Sequence, residues 1–219
     1  MPGAAGPDRA AFRQQLDAAI ESIDAQLRAA HEAREQALPA CRRVIRAAGS
    51  SIRSVHRLEA DRAAALAAEA EAALREAQEA LAPFPEVAYA GFLHDAEKEY
   101  AEARFTAALV AGGVLPGPAE LGVAPASWLR GLAEAASELR RHALDRLRDG
   151  DLTAAETLLG VMDDAYDSLM AIDYPDAITN GLRRTVDALR AVLERTRGDV
   201  TATAVQARLQ RALEEAQGI

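Results

Sequence analysis

Two pairs of glutamates have the type and spacing to do chemistry. Glu99 and Glu102 stand three apart in the segment HDAEKEYAEA, residues 94–103, and Glu134 and Glu138 stand four apart in LRGLAEAASELRR, residues 129–141. On a helix either spacing puts both carboxylates on one face, and Asp95 falls on the same side as the first pair. The second pair is surrounded by Leu129, Leu132, Ala133, Ala135, Ala136 and Leu139. Carboxylates in such apolar surroundings are costly to bury unless they are paired, protonated or bound to a cation. If the two helices pack together, four carboxylates converge. Hard divalent cations such as Mg2+ or Mn2+ take oxygen ligands of this kind. A cation held there polarises phosphate and acidifies water, which is the chemistry of phosphodiester cleavage. The competing reading is a solvated acidic face. From spacing alone that is the commoner outcome in an acid-rich chain.

A second constellation is basic. Between Arg42 and Arg57 no acidic residue occurs, while Arg42, Arg43, Arg46, Arg53, His56 and Arg57 do. At about 100° per residue, Arg42, Arg46, Arg53 and Arg57 fall in a narrow arc, provided that the helix continues through Gly49. Guanidinium forks match phosphate oxygens in pairs, and a local basic face is an electrostatic footprint even on an acidic protein. Interhelical salt bridges to the acidic segment that follows are an equal alternative at this point. With aromatics at only 4% of the chain, base stacking has few platforms, which argues against sequence-specific reading of single strands.

These residues sit in a chain of 219 residues with 25 Lys plus Arg, 34 Asp plus Glu and a formal charge of -9. Taken alone, that balance argues against a nucleic-acid partner. Hydrophobic residues make up 50% and charged residues 27%, which describes a globular protein rather than a disordered one. The single cysteine, Cys41, excludes an intramolecular disulfide and a cysteine-based zinc cluster. Residues 105–118 are the longest weakly charged stretch and are too short to span a membrane. The opening MPGAAGPDRA has no apolar core of a secretory signal, so a cytoplasmic setting is expected. Lys98 is the only lysine, in a chain rich in Ala, Asp and Glu. That pattern fits a salt-adapted archaeal proteome with a GC-rich genome. Codon bias alone is the alternative.

The elements that must position these residues read as helices throughout, without any alternating strand pattern. Phe12, Leu16, Ile20, Ile23, Leu27 and Ala30 form one face of a helix over residues 8–37. Pro39 predicts a kink or a new first turn, and Gly49 interrupts the segment that reaches about residue 58. Further helices are expected over 59–81, 85–111, 126–148, 152–171, 175–197 and 200–216, divided by prolines and glycines. Residues 1–8 are expected to lie outside the fold. The whole, 1–219, reads as one all-α domain of about seven long helices.

Several segments, in order, resemble the translin family and within it the branch of translin-associated factor X. The resemblance covers roughly residues 12–198. It rests on AREQALPACRRVIRAAGSSIRSVHR, on EYAEARF at 99–105, on WLRGLAEAASELRR at 128–141, on RDGDLTAAETLLGVMDDAYDSL at 148–169, and on the LR…D…LR…LE…RG pattern at 182–198. It implies an all-α fold that assembles into a hollow homo-oligomer, roughly an octamer, and binds single-stranded RNA and DNA. In the factor X branch it further implies an endoribonuclease using Mg2+ or Mn2+. Carried over residue by residue, the acidic set falls on Glu99, Glu102, Glu134 and Glu138. Glu134 departs from the family's usual aspartate, which puts the metal geometry in question. The arginines match only the general region of the family's basic helix. Three functions therefore stand open: a metal-dependent endoribonuclease on single-stranded RNA, a non-catalytic binder of single-stranded RNA or DNA, and a structural helical scaffold.

Overall fold

A computed structural model describes residues 8–217. The described residues form nine helices and no strand. Six are long: α1 (Arg9–His56), α2 (Ala60–Leu81), α4 (Phe92–Ala111), α6 (Pro125–Arg148), α7 (Leu152–Met170) and α9 (Leu182–Gln217). Three are single turns: α3 (Pro85–Ala88), α5 (Pro118–Leu121) and α8 (Asp176–Thr179). The expectation for residues 1–8 falls largely outside the described residues. Asp8 itself is ordered as the N-cap of α1, its side chain accepting from the Ala10 N–H at 3.0 Å.

Two expected breaks do not occur. Pro39 lies inside α1, and the helix runs through Gly49 as well. Pro39 and Glu35 both lie on the exposed side of the helix, where water can take the hydrogen bond that the ring forfeits. The opposite side is a buried stripe of small residues: Ala33, Ala37, Ala40, Cys41, Val44, Ala47, Ala48 and Ser51. That stripe packs against Ala63, Ala67, Ala70, Ala73 and Ala77 of α2. Burial of a continuous face outweighs the local propensity cost of roughly 1 kcal/mol for a mid-helix glycine. Gly198 likewise fails to separate a last helix, and the two segments expected at 175–197 and 200–216 become the single turn α8 and the continuous α9.

Helix α4 lies at the centre. It packs on α1, α2 and α6, and α6 in turn packs on α7 and α9. Tyr100 and Phe105 are fully buried there with Leu74 and Leu81. Phe105 meets Trp128 edge to face at 5.1 Å, and the Trp128 indole donates to the Pro116 carbonyl at 3.0 Å, which ties the start of α6 to the preceding loop. Glu97 is a buried staple. Its carboxylate accepts from Gln78 of α2 at 3.0 Å, from the Ala124 N–H at 3.2 Å and from Ser127 of α6 at 3.0 Å. Burial opposes its charge, yet His94 and these donors hold its pKa below the ordinary carboxylate range.

Candidate metal centre and basic face

Gly131 is where α4 and α6 touch. A Cβ at this position would stand 2.8 Å from the Ala101 Cβ, 3.0 Å from the Lys98 carbonyl oxygen and 3.1 Å from the Glu102 nitrogen. The missing side chain lets the two backbones approach, and Glu134 follows one turn later. The result is a group of three carboxylates, Glu99 and Glu102 from α4 and Glu134 from α6, whose oxygens lie within 4.8 Å of one another. Glu102 is buried, and the other two are partly exposed.

The electrostatics of this group are unbalanced. Burial, and then the neighbouring charges of Glu134 and Glu99, push the Glu102 carboxyl up to about 9, so it holds its proton at neutral pH. Lys98 lies between the other two, its Nζ donating to Glu99 Oε1 at 2.8 Å and to Glu134 Oε2 at 2.5 Å. Burial alone would lower the Lys98 pKa, but these two contacts raise it. The residues fit a hard divalent cation: three oxygen donors converge, and burial beside two like charges keeps one of them protonated.

Glu138 is outside that group of three. Its Oε2 is held at 2.6 Å by His56 Nε2, while His56 Nδ1 lies 3.0 Å from His142 Nε2. Both contacts are satisfied when His142 donates to His56 and His56 donates to Glu138. Burial and the neighbouring His56 keep His142 below its usual range, consistent with a neutral donor ring. Asp95, expected on the same side, is drawn away to Arg130 at 3.5 Å and stays exposed.

A cavity of about 400 Å³ opens beside the cluster, lined by Glu102, Glu134, Ser137, Glu138, Arg184, Thr185 and Ala188. Arg184, from the start of α9, brings a positive charge to an otherwise acidic wall. A larger cavity of about 780 Å³ between α7, α8 and α9 contains none of the candidate ligands.

Continuity of α1 through Gly49 places Arg42, Arg46, Arg53 and Arg57 on one exposed face. Among the described residues none of these four makes an ion pair, whereas Arg43 reaches Glu76 of α2 at 2.5 Å. The salt-bridge alternative therefore holds for Arg43 alone. Arg53 donates a hydrogen bond to Ser50 Oγ at 2.8 Å. The stripe ends beside the acidic site, because His56, adjacent to Arg57, is the residue that holds Glu138.

No protein-family model matches the chain. Among solved structures, that of AfC3PO in complex with duplex RNA is 33% identical, with a TM-score of 0.78 over 87% of this chain and 98% of that one. The chain belongs to the translin-like C3PO family. AfC3PO on its own gives the same picture, 33% identical with a TM-score of 0.77 over 87% of this chain and 98% of that one. The fold extends to apo-NeC3PO, 18% identical with a TM-score of 0.74 over 92% of this chain and all of that one. An uncharacterized protein of Methanocaldococcus jannaschii, MJ0175, is 34% identical over 121 residues. That match takes in 55% of this chain and 53% of that protein, so the chain spans about half the length of this curated relative.

Lys98, His142, Arg184 and Thr185 belong to the site and were not assigned from sequence. Lys98 had a visible signal, as the sole lysine next to Glu99, and His142 stands four residues after Glu138. Arg184 and Thr185 come from a helix more than forty positions away, with no local pattern to point to them.

Proposed function

We propose that this C3PO-family protein is a metal-dependent endoribonuclease of the factor X-like catalytic type, cutting single-stranded RNA inside a homo-oligomeric particle in the cytoplasm. The observation that carries this reading is the meeting of three carboxylate side chains within 4.8 Å across the α4–α6 contact. Glu99, Glu102 and Glu134 would hold Mg2+ or Mn2+. Such a cation supplies positive charge to a phosphate oxygen and acidifies water. Glu138, oriented by His56, accepts the proton of the attacking water. Arg184, which lines the same cavity, would pair with the phosphate. Arg42, Arg46, Arg53 and Arg57, with Arg43 at the edge, give the RNA backbone a track to the site. The duplex RNA held by AfC3PO supports RNA as the partner and makes a duplex the natural comparison substrate. Single-stranded DNA is a further candidate ligand.

A second reading, an RNA-binding particle without cleavage, is favoured by one observation: Lys98 already neutralises part of the cluster. One experiment separates the two. A short unstructured RNA and its duplex are incubated with Mn2+ and the wild-type protein, Glu134→Ala, or a variant with the four exposed arginines changed to glutamine. We expect Glu134→Ala to lose roughly 100-fold or more of the cleavage rate while binding persists, since even outer partners of a metal site are worth 10–100-fold. The arginine variant should bind less tightly, with a salt slope shallower by about 3 if all four contact single-strand phosphates. Equal cleavage by wild type and Glu134→Ala would overturn the cluster as the catalytic centre, and cleavage by neither while RNA still binds would leave only the binding particle.

A further inference from the structure

Lys98 is the one lysine in the sequence, in a chain that uses arginine at every other Lys/Arg position. It is also among the few buried charged residues, 7% exposed. Its backbone is fixed where α4 meets α6, because its carbonyl oxygen lies 3.0 Å from where a Gly131 Cβ would stand. Its ammonium lies 2.8 Å from Glu99 Oε1 and 2.5 Å from Glu134 Oε2, so it joins two helices through two of the three clustered carboxylates. Mg2+ binds carboxylate oxygens at about 2.0–2.1 Å. It would need the same oxygens and the same space between them. Two positive centres cannot share that space. A guanidinium is broad and planar, with donors in a fixed fork. An ammonium is a compact point charge on a flexible stem, suited both to fill a cation-sized gap and to leave it.

We infer that Lys98 is the resident counter-ion of the carboxylate cluster, occupying the cation position in the metal-free protein and turning aside when a divalent cation enters. A cavity bordered by Glu102 and Glu134 lies beside the cluster, open space towards which the flexible stem would swing. Metal affinity is then set by competition with an internal cation, and Lys98 is a positioning residue whose own charge regulates loading. This inference rests on the metal reading above, and its tests are chosen to fail separately from it.

The first test measures Mn2+ binding by the loss of the free-ion EPR signal, using the full chain at fixed pH and ionic strength. Lys98→Gln should bind Mn2+ at least about tenfold more tightly than wild type, because a positive charge has been removed beside a divalent one. Glu134→Gln should abolish binding in either background. Equal or weaker binding by Lys98→Gln, with wild type still binding, overturns the role of Lys98 and leaves the metal reading in place. No binding by wild type or by Lys98→Gln overturns both.

The second test needs no variant, since a single lysine can be followed by itself. Acylation of Lys98 by an amine-reactive ester is read by mass spectrometry of its peptide, in EDTA and in saturating Mn2+. Withdrawal of the ammonium should speed labelling several-fold on adding the ion. Unchanged or slower labelling, with the ion bound, overturns the inference.

Discussion

Glu102 carries the electrostatic tension of the site. Its pKa of about 9 arises first from burial and then from Glu134 and Glu99. In the unfolded chain the same carboxyl titrates at its ordinary value of 4.5. Between these two values the folded state binds more protons than the unfolded one, so this group makes stability fall as pH rises. Glu102→Gln removes that titration while keeping the shape. In EDTA the variant should be more stable than wild type, with a gap that widens from pH 5 to pH 9. At about 1.4 kcal/mol per pKa unit, a shift from 4.5 to about 9 makes the gain several kcal/mol by pH 8. Thermal melts at three pH values check this, and a gap that narrows with pH would contradict it. The same variant should bind Mn2+ poorly. Spacing alone showed which pairs share a helical face, at Glu99 and Glu102 and at Glu134 and Glu138. It could not show that the first three converge while Glu138 turns to His56, because that depends on how α1 approaches α6. Nor could it show that Glu102 keeps its proton, since burial is a property of the packed core.

At the scale of elements, the crossing of α4 and α6 depends on one absent methyl. Gly131→Ala would set a carbon 2.8 Å from the Ala101 Cβ and about as close to the α4 backbone, where neighbours cannot yield without moving a helix. Overpacking of this kind costs about 1–3 kcal/mol. The larger consequence is geometric, because Glu134 would be displaced from Glu99 and Glu102 by the same shift. The variant should remain helical by circular dichroism and melt at a lower temperature. Its Mn2+ affinity should drop by more than stability alone explains, and unchanged affinity would show that the contact does not set the site. The helices were legible from apolar periodicity and from the turns at Gly112-Gly113 and Asp149-Gly150. The unbroken courses of α1 and α9 were not. Pro39, Gly49 and Gly198 are local stop signals; a buried face continues on both sides of Pro39 and Gly49, whereas beyond Gly198 only Val200 of α9 is buried. That same continuity decides the arginine stripe, whose four exposed members share a face only because α1 does not stop at Gly49.

For the whole molecule, a formal charge of -9 says less than where the charges lie. Part of the acid is gathered at the α4–α6 contact, and four arginines without ion pairs run along α1 towards it. The apolar surface is equally uneven. From Arg9 to Ala29 every residue of α1 is exposed, a length of about 30 Å at 1.5 Å per residue. Phe12, Leu16, Ile20, Ile23 and Leu27 line one side of this arm and are 43–66% exposed. Val205, Leu209 and Leu213 near the end of α9 are exposed as well. Contiguous apolar stripes of this length are rare on monomers, and their helical spacing suits packing against another helix. This supports the proposed homo-oligomer, with the arm as part of its interface. A glutamate pair at Leu16 and Ile20 would put charge into that interface without touching the buried bundle. Light scattering after gel filtration should find wild type at a multiple of the 23.3 kDa chain and Leu16→Glu/Ile20→Glu at or near 23.3 kDa. The helical signal should be retained, because these positions contribute no buried contact. If the arm also helps to enclose RNA, the dissociated variant should keep its Mn2+ affinity, set within one chain by α4 and α6, while losing RNA retention. Wild type running as a monomer would remove the argument from the exposed stripe.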